Sequence, residues 1–113
     1  MAQRENAMVV LVTCGSVAEA RKIARAVVQS RLAACVNMIS APVESVYRWK
    51  GNVESAKEFL LVIKTTSWRL KALEAEVSRI HSYEVPEFLV LRVDSGSKKY
   101  LAWLLQQLRS GSR

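Results

Sequence analysis

The stretch M-V-V-L-V-T-C-G-S-V-A-E, residues 8–19, decides the fold. Residues 8–14 are an unbroken apolar run closed by Thr13 and Cys14, which reads as a strand buried on both faces. Ser16 with Glu19 three residues later is a capping box, each side chain satisfying a backbone N–H of a new helix. Ala20, Ile23, Ala24, Val27 and Val28 then recur at helical spacing, so the first helix runs to about Ser30. A strand followed at once by a capped amphipathic helix is the first half of a β-α-β unit.

Outward from that start, L-A-A-C-V-N-M-I (32–39) reads as a second strand, which Pro42 demotes to an edge or a bulge. Extended character resumes over V-E-S-V-Y-R-W (43–49), and K-G-N (50–52) turns the chain into a return strand that includes F-L-L-V-I-K (59–64). Thr65, Thr66 and Ser67 are all suitable N-caps for a second helix striped by Leu70, Leu73, Val77 and Ile80. H-S-Y-E-V-P-E (81–87) leads into a fourth strand, F-L-V-L-R-V (88–93), and a terminal helix carries Leu101, Leu104, Leu105 and Leu108 on one face. The order is β-α-β-β-α-β plus a helix: an α+β, ferredoxin-like split β-α-β antiparallel sheet with strands one and three at its centre. One domain, 8–108, is expected between flexible ends at 1–7 and 109–113.

Two crossover helices cover only one face of such a sheet. Residues 8–12 and 59–63 are nevertheless apolar at every position, and the terminal helix is too short to cover the second face alone. The long edge over 32–49 adds an association hazard. Both features predict a homo-oligomer with facing sheets and paired edges.

The 113 residues are half apolar and carry a formal charge of +7, with basic residues spread along the chain. A solvated basic surface is the better reading than a nucleic-acid site. No apolar run approaches the roughly 20 residues of a membrane span, and the start M-A-Q-R-E-N-A has no secretory pattern, so a cytoplasmic protein is expected. Aliphatic central strands argue against the aromatic platform of an RNA-binding sheet.

Two groups of residues could carry chemistry. Cys14, Cys35 and His81 are ligand types for copper or zinc, although their spacing matches no local motif. With one strand between them the cysteines would stand roughly 10 Å apart, too far for a disulfide. Spacing alone also fits two small core residues and a helix cap. The second group is Tyr47, Trp49, Lys50, Glu54, Glu58, Lys64, Tyr83, Glu84 and Glu87, able to do acid–base work, to bind a small ion, or simply to pair at an oligomer interface.

R-L-A-A-C-V-N (31–37), Y-R-W-K-G (47–51), I-K-T-T (63–66), H-S-Y-E-V-P-E (81–87) and Y-L-A-W-L (100–104) resemble, in order, the CutA divalent-ion tolerance proteins. The resemblance implies a ferredoxin-like subunit in a compact homotrimer similar to the PII signalling proteins. It implies copper or other divalent-metal tolerance, with copper binding in some members, no cofactor required for folding and no catalytic residues. Cys35 falls in the family's A-A-C-V stretch, His81 on its H-P-Y-E-V-P-E histidine, and Cys14 on a cysteine found in many members. Tyr47, Trp49, Lys64, Tyr83, Glu87 and Trp103 fall on inter-subunit cleft positions. Ser82 and Gly15 stand where proline is common, and Ser55 and Ala56 replace frequent acids, thinning a carboxylate cluster. The expected protein is a cytoplasmic, trimeric, non-enzymatic copper-tolerance protein using Cys14, Cys35 or His81, with partners limited to itself and a metal ion, and neither nucleic acid nor membrane. The competing expectation is a PII-like regulator whose cleft takes a small ligand through Trp49, Glu58, Lys64 and Tyr83.

Overall fold

The computed structural model describes residues 6–109; the expected flexible ends therefore fall mostly outside the described residues. Five strands and three helices follow one another as β1 (Ala7–Cys14), α1 (Val17–Gln29), β2 (Cys35–Met38), β3 (Val43–Trp49), β4 (Asn52–Thr66), α2 (Leu70–Ile80), β5 (Leu89–Arg92) and α3 (Lys98–Leu108). The sheet is antiparallel in the order β2-β4-β1-β5, and β3 pairs with the first half of β4. Strands one and three of the sequence reading, β1 and β4, are central as expected.

Alternation along β1 and β4 sorts the two faces. Val10, Val12 and Cys14 stand opposite Ile63, Leu61 and Phe59. They join Ala20, Ile23 and Val27 of α1 and Leu73 and Val77 of α2 in the main core. The helices thus bury their apolar stripes on one face, each large side chain contributing about 1.5–3 kcal/mol. The other face presents Val9, Leu11, Leu60 and Val62, with Leu89 and Leu91 beside them. Leu89 and Leu91 are 55% and 50% exposed. α3 reaches this sheet at the start of β1 and on β4, where Leu104 and Leu108 pack with Ala7 and Ala34.

The second strand is shorter than 32–39. After Ser30 caps α1, Arg31 adopts a left-handed conformation (φ 61°) and the amides of Leu32 and Ala33 both return to the Val27 carbonyl. Closing the helix in this way consumes residues 31–34, so β2 begins at Cys35. Residues 39–42, with Pro42, then separate β2 from β3. Lys50 and Gly51 both take positive φ, the signature of a two-residue hairpin turn matched to strand twist.

None of the three hydroxyls offered as caps for α2 acts as one. Thr65 Oγ1 donates to the Leu32 carbonyl, Thr66 Oγ1 is buried without a partner, and Ser67 Oγ accepts from the Asn6 amide. A 3-10 turn at Ser67–Arg69 starts the helix instead. The Ser67 amide also donates to the Asn6 carbonyl, and β1 pairs with β4 from Ala7, so strand pairing includes residues ahead of residue 8.

Candidate functional site

Cys14 ends β1, Glu19 lies in the first turn of α1, and His81 caps the end of α2. These three elements converge at one end of the helix-covered face. The Cys14 sulfur, a Glu19 carboxylate oxygen and a His81 ring nitrogen lie within 4.8 Å of one another. The capping box forms only by half. Ser16 Oγ accepts from the Glu19 amide at 3.2 Å, but the Glu19 carboxylate turns away. Its Oε2 accepts from the Ser82 amide at 3.0 Å and stands 3.1 Å from His81 Nδ1.

The chemistry of its neighbours assigns the His81 ring. Nε2 is 2.8 Å from the Thr13 carbonyl, which can only accept, so Nε2 carries the hydrogen. Nδ1 accepts from the Tyr83 amide at 3.1 Å. A carboxylate oxygen and an imidazole lone pair this close repel unless a proton or another cation is shared between them. Burial, reinforced by the charges of Glu19 and Glu58, pushes the Cys14 thiol up to about 12. The neutral thiol is therefore the resting form, and only a strong Lewis acid would displace its proton.

Cys35 does not join this group. It pairs with Lys64 on β4, whereas Cys14 pairs with Phe59. Five residues along the strand add roughly 17 Å to the two strand spacings, and the side chains point to opposite faces. The 10 Å expectation counted strands but not register. Both cysteines are free. Glu19, in contrast, escaped the sequence reading as a ligand because its capping-box spacing already explained it.

A second site lies beyond the Thr13 end of β1. The β3–β4 hairpin and the segment 83–87 enclose a cleft of about 650 Å³ lined by Tyr47, Trp49, Glu58, Tyr83, Glu84 and Glu87, with Thr13, Ser45, Val46, Val85 and Pro86. Tyr83 donates its hydroxyl to Glu58 Oε2 at 2.7 Å. Burial and that bond hold the phenol well above its ordinary range. Burial, then the Glu58 charge, raises the Glu87 carboxyl above the usual carboxylate range. Two of the expected cleft residues are elsewhere. Lys64 lies in mid-sheet register with Val9 and Cys35 and bonds Asn37 Oδ1. Trp103 sits on α3, its ring tilted against Tyr100 with centroids 5.6 Å apart. Both belong to the end of the sheet remote from Thr13, so within one subunit they do not line the cleft.

The family profile described as CutA1 divalent ion tolerance protein matches residues 8–107. The chain belongs to the CutA1 divalent ion tolerance family. It is 45% identical over 96 residues to the divalent-cation tolerance protein CutA of Thermus thermophilus, covering 85% of this chain and 92% of that one. The solved structure of the Thermus thermophilus divalent cation tolerance protein superposes with a TM-score of 0.85 at 44% identity, over 87% of this chain and 94% of that one. Mouse protein CutA is 46% identical over 101 residues, 89% of this chain but 56% of its own length, so the chain spans about half of that relative. The α+β architecture with its antiparallel sheet and three helices is thus that of solved CutA1 structures. Among the described residues, no helix is long and apolar enough to cross a membrane.

Proposed function

We propose that this CutA1 family member binds a soft metal ion, copper foremost, through Cys14, Glu19 and His81, and serves metal tolerance by binding and not by catalysis. The observation that carries the reading is the convergence of a thiol, an imidazole and a carboxylate from three separate elements within 4.8 Å. Sulfur and nitrogen donors suit copper and zinc, and bond lengths of about 2.0–2.3 Å require only small side-chain rotations from this spacing. Bound there, the ion would supply the positive charge that the Glu19–His81 pair requires. Nδ1 would have to exchange the Tyr83 amide for the metal, while the Nε2 bond to Thr13 keeps the ring oriented.

The binding unit is taken to be a homotrimer of PII-like form. Its support is the apolar second face, where Leu89 and Leu91 stand half exposed beside Val9 and Leu11. The cytoplasm is the proposed compartment, although an Arabidopsis thaliana relative is named chloroplastic and the Archaeoglobus fulgidus neighbour is described as periplasmic. Titration of reduced protein with Cu(I) against a competing chelator tests the site. Cys14→Ser, Glu19→Gln and His81→Ala should each weaken binding, and Cys35→Ser should not. Equal affinity in wild type and a Cys14→Ser, His81→Ala double variant would remove these residues from the site.

The cleft supports a second reading, a regulator that takes a small ligand between hairpin and loop. It is favoured by Tyr47, Trp49, Glu58, Tyr83 and Glu87 lining one cavity of ligand-binding size.

A further inference from the structure

We infer that the cleft is built for a small organic cation, an ammonium or guanidinium compound and not an anionic metabolite; this rests on the second reading above and names its ligand class. Within one subunit the charges of the wall are of one sign. Glu58, Glu84 and Glu87 line the cavity, and no lysine or arginine among the described residues does, on a chain with 17 basic and ten acidic residues. Glu58 is 8% exposed, so the residue as a whole is largely withdrawn from water. Its Oε2 accepts from the Tyr83 hydroxyl, a neutral donor, and Oε1 has no hydrogen-bond partner among the described residues. A buried carboxylate supported only by a phenol lacks a countercharge, and the cavity is where one would fit.

The shape of the lining narrows the class further. Tyr47, Trp49 and Tyr83 supply aromatic surface to a cavity of about 650 Å³. Aromatic faces with carboxylates are the recognised partners of alkylated ammonium ions, whose charge is spread over methyl groups and tolerates weak hydration. A bare hard cation would instead demand several oxygen ligands in a tight shell. The carboxylates here are interleaved with rings, and burial together with the Glu58 charge makes Glu87 hold its proton more tightly than an ordinary carboxyl. The chain already contains a small instance of the same attraction: the Lys50 ammonium lies 5.8 Å from the Trp49 ring centroid, at the outer limit of a cation–π contact.

Isothermal titration of the assembled protein at low salt, with choline, its neutral isostere 3,3-dimethylbutan-1-ol and butyrate as probes, tests the class. Choline should bind at least about tenfold more tightly than the isostere, and butyrate should not bind. Glu58→Gln should weaken choline by about tenfold and Trp49→Leu by several-fold, with little change for the isostere in Glu58→Gln. If Glu58→Gln does not fold, Glu87→Gln carries the same comparison. Isostere or butyrate binding as tightly as choline would overturn the cationic class while leaving a ligand cleft. Binding by none of the three would overturn the cleft reading with it. Choline affinity unchanged in Glu58→Gln, Glu87→Gln and Trp49→Leu would put the cation elsewhere on the surface and overturn the assignment. A fall in assembled mass on Glu58→Gln would mean that a neighbouring copy neutralises the carboxylate, and this also overturns it.

Discussion

Metal binding at Cys14 should carry a pH signature large enough to separate it from the other ligands. An ordinary thiol with a pKa of 9.0 costs about 3 kcal/mol to deprotonate at pH 7, whereas Cys14, pushed up to about 12, costs about 7 kcal/mol. That difference of roughly 4 kcal/mol must be met by the sulfur–metal bond. Because the thiol stays protonated far above neutrality, each ion that takes the sulfur releases one proton across the whole working range. Apparent Cu(I) affinity should therefore rise about tenfold per pH unit from this residue alone, about a hundredfold between pH 6.5 and 8.5. Comparison with Cys14→Ser isolates the sulfur. Chelator competition across this pH range should give two plots of log affinity that diverge by about one unit per pH unit. Parallel plots would refute the argument, because they would mean that the metal does not displace the thiol proton.

The same thiol predicts alkaline weakening of the metal-free protein. Below pH 9 both folded and unfolded chains hold the proton and stability is complete; as pH rises from 9.0 toward about 12 only the unfolded thiol ionises. At pH 10 the loss should be about 1.4 kcal/mol, read from urea midpoints as a deficit absent in Cys14→Ala. Glu19→Ala should cost about 0.5–1.5 kcal/mol, because the Ser82 amide loses the acceptor it meets at 3.0 Å. A change under about 0.5 kcal/mol in the same urea titration would show that Glu19 serves only helix α1. Leu91→Asp changes a half-exposed residue on the uncovered face, so the isolated subunit should keep its helical circular dichroism while light scattering reports a monomer. An oligomer of wild-type mass in that variant would refute burial of this face.

How far the sequence could be read depended on whether local spacing carries the answer. The runs 8–12 and 59–63 were legible as central strands because an apolar residue at every position has no other comfortable home. The terminal helix was legible from its leucine stripe, and Ser97 caps it, its hydroxyl accepting from the Tyr100 amide. Strand two was over-extended because nothing in L-A-A-C announces that α1 closes through a left-handed Arg31. Ligand types were readable, but their grouping required register. Cys14 and Cys35 differ by five positions along β4, a quantity set by hydrogen-bond pairing across the sheet and invisible in residue spacing. Glu19 was hidden for the opposite reason, since its spacing from Ser16 had a sufficient local explanation. Lys64 was grouped with the cleft residues by its place at the end of a strand and again by resemblance, Trp103 by resemblance alone, and one subunit brings neither there.

Tyr83 belongs to both sites at once. Its amide leans on His81 Nδ1 at 3.1 Å, its ring lies 4.7 Å from the imidazole, and its hydroxyl grips Glu58 at 2.7 Å. Whatever claims the histidine lone pair must release the backbone of the residue that holds the cleft's buried acid. If both proposed sites are occupied, an ion at one would be felt at the other through a single residue, and linkage would make the influence mutual. A tolerance protein wired in this way would act less as a store for ions than as a gauge, registering the ion at Cys14 as a changed grip on whatever the cleft holds.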